Sequence, residues 1–388
     1  MNQHQDAASE GKDEILLGGL DGTNPLGFLA ALGTLSLLSD VDQTATVKLA
    51  WKAHDCLWVP SIQGFGQDKK GVARVVAEQL RCPFQPDELK DQKRSMTQDA
   101  HEVVKKELKE AVEAVKGLGL RGNARKAEEE KTLAPIRKKL APLRSAWLTA
   151  LRDSVPSLEL SLGKHLSASC AELRENLLIG LEEASEAART AIDMLSAFGS
   201  DVCSTGKTGQ MQATPFCFIT GSGHQYFLDT ARQLMEKVDA ERLELALFSR
   251  VEPSDETLSM RWNPQEDRRY AVMWSDPGKV DKPKTNWATN LLAYRGLKLF
   301  SSAPCFRGLR TTGWRFDPEP TWRWPIWTHG LSIEVTRSLL SHPLLVGQAP
   351  KRNLLSALGV AALFESSRVQ VGNPPLHKVN FTPAYQVA

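Results

Sequence analysis

Three short segments of this 388-residue chain carry the side chains best suited to chemistry. The first runs from Cys203 to Gln210 and contains Gly206-Lys207-Thr208, the triplet that closes a phosphate-binding P-loop. A P-loop also needs a glycine separated by four residues from the Gly-Lys pair. That position is Asp201, and Gly199 lies two residues too far upstream, so the spacing rejects nucleotide hydrolysis. What remains is a glycine-rich loop on which Lys207, Thr208, Gln210 and Gln212 offer ammonium, hydroxyl and amide groups to a nucleic-acid backbone; a plain connecting loop reads the same way. The second segment, Thr220 to Gln225, lies between an expected strand and an expected helix, where free amide groups can receive a phosphate. Its glycines are one residue apart, so it is no nucleophile elbow, and His224 with Gln225 reads as cap, packing or phosphate contact rather than as base. The third interleaves Arg307, Arg310, Arg315 and Arg323 with Phe306, Trp314, Phe316, Trp322, Trp324 and Trp327. Arginine grips phosphates bidentately and exposed aromatic rings stack on unpaired bases. The competing reading puts the tryptophans in the core, since half of the chain's ten lie between Trp287 and Trp327.

Other chemistries lack their residues. The eight histidines show no HExxH pair and no carboxylate cluster suggests magnesium, so a metal-dependent nuclease is disfavoured and no cofactor is expected. Six cysteines without a CxxC pair, and no basic-then-apolar leader, point to reduced thiols in the cytoplasm. The most apolar early stretch, Pro25 to Leu38, falls short of the roughly 20 residues that a membrane span needs. A net charge of +2 conceals an asymmetry: between Pro277 and Arg352 stand twelve Lys and Arg against four Asp and Glu, with Lys351 and Arg352 at its end. Clustered cations of this kind suit a polyanion, whose counterions are released on binding; a solvated basic face is the plainer alternative.

The elements that must position these groups give an α+β chain: mixed α/β N- and C-terminal parts with a long internal α-helical insert or domain. Residues 1–13 read as a polar tail, 14–86 as an N-terminal α/β part, 87–198 as a helical domain and 199–388 as a mixed α/β nucleic-acid-binding part. Glu14 to Leu20 is expected as a strand, followed by a turn at Asp21-Gly22-Thr23-Asn24 and a buried helix from Pro25. Val47 to Trp51 and Cys56 to Val59 are expected strands. Charged residues fill 26 of the 58 positions from Asp87 to Arg144, with an apolar stripe of Val104, Leu108, Ala111, Val112 and Val115. Leu173 to Phe198 reads as one regular helix, Ala213 to Thr220 as a strand, and Gln225 to Val238, Asn290 to Phe300 and Leu354 to Phe364 as helices.

Several of these segments together resemble the large subunit of type I CRISPR surveillance complexes of subtypes I-U/I-G: Leu20 to Gly33, Thr220 to Phe227, Arg307 to Trp314 and Asn380 to Ala384. The resemblance implies a non-catalytic protein that reads the protospacer-adjacent motif on duplex DNA, helps unwinding and recruits the helicase-nuclease. Its partners would be the CRISPR guide RNA, target double-stranded DNA and the other complex subunits. Asn24, the Lys207 to Gln212 loop and Gln225 then become motif readers, because amides and ammonium groups can meet base edges in a groove. The expected helical part lies mid-chain, whereas large subunits usually carry a helical bundle at the carboxyl end, and a separate small subunit would supply that part. The alternatives are a backbone or accessory subunit that grips guide RNA without reading DNA, and a nucleotide-hydrolysing enzyme.

Overall fold

A computed structural model describes residues 14–42, 44, 46–81, 87–155, 157–183, 185–206, 209–219, 225–266, 283–306, 308–371 and 378–388. The chain has the expected mixed α+β character. It divides into two compact units, one of Met1–Arg81 with Ser161–Ala388 and one of Cys82–Leu160.

The first unit opens with β1 (Glu14–Leu16), α1 (Pro25–Val41), β2 (Lys48–His54), β3 (Leu57–Gln63) and α2 (Lys69–Arg81). The three strands are antiparallel in the order β1-β3-β2, which makes this segment five of the six elements of a β-α-β-β-α-β split motif. Two left-handed residues, Asp55 (φ 46°) and Cys56 (φ 64°), close the β2–β3 hairpin in the manner of a type I′ turn. Asn24 caps α1 by accepting a hydrogen bond from the Leu26 amide at 2.9 Å, and Pro25 occupies the first turn. Every residue of α1 from Pro25 to Leu38 is buried, as a helix with apolar side chains on all faces requires, and of its two polar side chains Thr34 donates to the Ala30 carbonyl at 2.9 Å.

The second unit is a helical hairpin of α3 (Glu88–Gly117) and α4 (Gly122–Asp153). Asp87 caps α3 through the amides of Leu89 and Lys90 at 3.1 Å. Ion pairs Lys93–Asp153 and Lys139–Glu107 fix the helices as antiparallel, and His101 stacks on Trp147 at 5.0 Å. Of the expected stripe, Val104 and Val115 are buried, because two helices facing each other cover only a narrow seam.

The first unit resumes with α5 (Cys170–Glu183), α6 (Glu186–Phe198), β4 (Ser204–Thr205), β5 (Gln210–Met211), α7 (Phe227–Lys237), α8 (Ala240–Phe248) and α9 (Trp287–Gly296). The helical region expected to extend to residue 198 therefore contributes α5 and α6 to the first unit, and the second unit ends at Leu160. Leu173 to Phe198 is not one helix: Ser185 caps α6 through the Ala188 amide and starts a second one. Residues 213–219 form no strand, although Phe216, Cys217, Phe218 and Ile219 are buried.

There follow β6 (Ser302–Cys305), β7 (Gly308–Thr311), β8 (Trp314–Arg315), β9 (Thr321–Trp327), α10 (Ile333–Leu340), α11 (Pro343–Val346), α12 (Arg352–Ala357), β10 (Val360–Val371), β11 (Lys378–Phe381) and β12 (Tyr385–Gln386). The expected helix Leu354 to Phe364 is overturned: Gly359, at φ 77°, breaks α12, and Val360 onward pairs with β9 as the long strand β10. Strands β8 to β11 form one antiparallel sheet in the order β11-β10-β9-β8, with β12 beside β10.

The two sheets meet α1 through an aromatic cluster. Phe28 stacks on Trp51 at 5.3 Å and lies within 6.2 Å of Trp322, Trp324 and Trp327. The indole nitrogens of Trp324 and Trp327 donate to the carbonyls of Gly22 and Leu49 at 2.8 Å, so these buried polar atoms also tie β9 to the turn before α1 and to β2. On the opposite side α1 crosses α9 backbone to backbone. A Cβ at Gly33 would overlap the Leu292 carbonyl, and one at Gly296 would overlap the carbonyl of Leu29. Gly33→Ala should therefore destabilise the fold by about 3 kcal/mol, the upper range for overpacking, in urea denaturation monitored by circular dichroism; an unchanged midpoint would show that the helices can separate freely.

Candidate nucleic-acid interface

Two small hairpins lie side by side on the first unit. In β4–β5, Ser204 pairs with Met211 and Thr205 with Gln210, and Gly206 and Gly209 adopt φ values of 64° and 67° at the turn. Lys207 and Thr208 lie outside the described residues. In β6–β7, Ser302 pairs with Thr311 and Cys305 with Gly308. Strand alternation buries Leu309 and Thr311 and turns Arg310 outward to solvent. At the tip Phe306 is fully exposed, beside Arg307, which falls outside the described residues.

Gln212 joins the hairpins. Its amide donates to the Cys203 carbonyl at 2.7 Å, and its side-chain oxygen accepts from the Leu309 amide at 3.1 Å. Gly308, at φ 109°, admits this approach, since a Cβ there would lie 3.0 Å from the same oxygen. Gln212 is thus a positioning residue: the sequence places it in a loop that could touch nucleic acid, and the structure uses its side chain to set the two hairpins against each other.

Beside them opens a cleft of about 360 Å³ lined by His165, Gln212, Cys217, Leu309, Phe316 and Arg368 among others. Burial, with the Lys164 charge next to it, depresses the His165 pKa, so the ring is neutral at pH 7. Its Nδ1 accepts from the Phe227 amide at 3.5 Å, which assigns the proton to Nε2. Burial pushes the Cys217 thiol up to about 12, so it packs as an unreactive group. Phe316 is half exposed and stacks on buried Trp314.

The other expected site residues sit elsewhere. Asn24, expected as a motif reader, is instead the α1 cap, and its Nδ2 donates to Asn263 at 2.9 Å, so its side chain is engaged in building the fold. His224 lies outside the described residues. Gln225 lines a second cleft of about 260 Å³ with Ser259, Arg261, Glu266, Lys284 and Thr285. There Glu266 accepts from Ser259 and from Thr285, and burial raises its pKa to about 7. Lys351 and Arg352 are exposed at the start of α12.

The basic stretch is not a continuous surface. Lys298 is buried against Asp40 at 2.7 Å, Arg337 pairs with Asp193 at 2.7 Å, and Arg323 is buried in an ion pair with Glu365 while donating to the Gly347 carbonyl. Likewise Trp314, Trp322, Trp324 and Trp327 are core, so of the aromatic side chains expected to stack on bases only Phe306 and Phe316 reach solvent. Sequence reasoning missed His165 and Arg368 as cleft residues. Neither stands in a motif or in the basic stretch; a neutral histidine and a strand arginine are marked only by the fold around them.

Comparison with family models, curated proteins and solved structures finds no match to this chain. Among the described residues no helix is long and apolar enough to cross a membrane, and no three His, Cys, Asp or Glu side chains group as a metal site.

Two outcomes follow from this placement. Arg310→Ala should cost at most about 1 kcal/mol of stability, as for an exposed charge, whereas Arg323→Ala should cost about 3 kcal/mol by removing the buried ion-pair partner of Glu365, which keeps Arg315 at 3.5 Å and the Tyr385 hydroxyl; parallel thermal melts compare them. For Glu266 the folded pKa exceeds the unfolded one, so the folded protein holds more protons and its stability falls as pH rises from about 4.5 to about 7. Glu266→Gln should flatten that decline and be relatively more stable than wild type above pH 7, read as melting temperature against pH.

Proposed function

We propose that this chain is the nucleic-acid-binding large subunit of a type I CRISPR RNA-guided surveillance complex, recognising the protospacer-adjacent motif in target DNA and helping unwinding and helicase-nuclease recruitment in the cytoplasm. The observation that carries this reading is the hairpin pair. One hairpin presents a fully exposed aromatic ring, Phe306, at its tip and the guanidinium of Arg310 on its outer face. The other brings a glycine-rich turn alongside, held by the Gln212 side chain. A guanidinium fork meets guanine O6 and N7, or paired phosphate oxygens, with the same geometry, and an exposed ring costs solvation unless a base or another surface covers it. The same segment, Arg307 to Trp314, is among those by which the chain resembles the large subunits.

The residues present suit binding rather than bond cleavage. The Gly206-Lys207-Thr208 triplet lacks its upstream glycine, and discrimination among sequences would be delegated to guide pairing once the flanking motif is accepted. The chain's own contribution is then to choose the site at which pairing begins.

The test is binding of target duplexes by the assembled complex, with and without this chain, across a set of flanking motifs. The complex containing the chain should prefer one short motif. Phe306→Ala with Arg310→Ala should relax that preference by about 10- to 100-fold per lost base contact, the equivalent of about 1–3 kcal/mol, without changing guide retention. A preference that survives omission of the chain would contradict the assignment.

A further inference from the structure

Four buried or half-buried cations in this fold meet carboxylates. Lys298 has Asp40, Arg323 has Glu365, Arg337 has Asp193, and Arg232 has Asp229 at 3.0 Å. Arg368 on β10, half-buried, meets none among the described residues. Its Nε is buried without a hydrogen-bond partner, and its guanidinium lies over the Phe218 ring at 5.4 Å. Among the described residues the one ionisable group acting on it is the Cys217 thiol, which is neutral. Arginine does not shed its proton, so the charge persists in a desolvated setting that opposes it. No carboxylate is found among the residues lining the cleft that Arg368 faces. A cation in this condition destabilises the empty fold, and an anion entering the cleft would remove that penalty.

We propose that this cleft is a phosphate site for a nucleic-acid strand, in which Arg368 pairs with phosphate oxygens and Phe316 provides a face for the adjoining base. The inference rests on the nucleic-acid reading above and deepens it by assigning a second contact behind the hairpins. The guanidinium fork matches two phosphate oxygens. The neutral His165, with its proton on Nε2, is a donor that adds no charge of its own. At about 360 Å³ the cleft is within the usual range of ligand sites, about 300–1,000 Å³, and it adjoins the Gln212 link that holds the hairpins. A strand whose phosphate sits here would run past the hairpin carrying Arg310.

The experiment uses the full chain and a short labelled single strand in two forms, 5′-phosphorylated and 5′-hydroxyl, with anisotropy measured over a series of salt concentrations. Arg368→Met should weaken binding roughly tenfold and lower the slope of log affinity against log salt by about one. Its melting temperature should equal or exceed that of wild type, because the unpaired cation is gone. Equal loss for both strands would assign an internal backbone phosphate, and loss confined to the phosphorylated strand a terminal one; either supports the site. Phe316→Ala, which trims a half-exposed ring, should weaken binding several-fold. Wild-type affinity and slope in Arg368→Met would overturn the site, as would wild-type affinity in Phe316→Ala should the Met variant not fold, or no binding by the wild-type chain at low salt. Loss of strand affinity in Arg368→Met, together with a complex that shows no motif preference, would instead retire the motif-reading assignment and keep the phosphate site.

Discussion

The crossing of α1 over α9 at Gly33 and Gly296 is the contact on which the rest of the first unit depends. It brings two backbones to a distance that no side chain permits, and so leaves α1 without a solvent face. A helix enclosed in this way must be almost wholly apolar, as it is from Pro25 to Leu38 apart from the buried hydroxyls of Thr34, which donates to the Ala30 carbonyl, and of Ser36, and its outer side must be covered by large rings. Phe28 and Trp51 with the tryptophans of β9 supply that cover. The turn preceding the helix is equally constrained: Gly22 lies against the Trp51 ring, where a Cβ would collide with it, and Trp324 bonds to the Gly22 carbonyl. Glycines, turn residues and tryptophans far apart in sequence thus satisfy one packing condition.

That condition explains why some of the chain is legible in its sequence and some is not. The buried helix from Pro25, its cap, the two strands near Val47 to Val59, and the charged helices after Asp87 follow from local pattern, because capping, β propensity and amphipathicity are properties of neighbours along the chain, whereas the left-handed turn at Asp55 and Cys56 that pairs those strands was not read. The long strand β10 was hidden because Leu354 to Phe364 is apolar at helical as well as strand spacing, and only pairing with β9 decides between them. The break at Ser185 was hidden because the apolar positions on either side keep helical spacing across it. Residues 213–219 look like a strand because they are apolar, yet they are buried as irregular chain.

The candidate site divides in the same way. Exposure of Phe306 and Arg310 agrees with their setting among glycines, but the tryptophans interleaved with the same arginines turned inward, since a ring that can be buried contributes more there than on a surface. Charge counting misled for a related reason. Arg323, Arg337 and Lys298 belong to the basic stretch by sequence and to internal ion pairs by structure, so the cations left for a partner are fewer and more localised than the count implies. Arg368, which counting passed over, lines a cleft and has no carboxylate partner among the described residues.

Function on this account comes from a rigid core that carries two short hairpins and a neighbouring cleft, with the buried ion pairs holding the strands behind them. Cross-linking of the guide-loaded, target-bound complex with photoreactive nucleotides, followed by mass spectrometry of the cross-linked peptides, tests this most directly. The account predicts attachment sites in residues 204–212 and 302–316. Cross-links confined to the α3–α4 hairpin, with those two segments free, would contradict it.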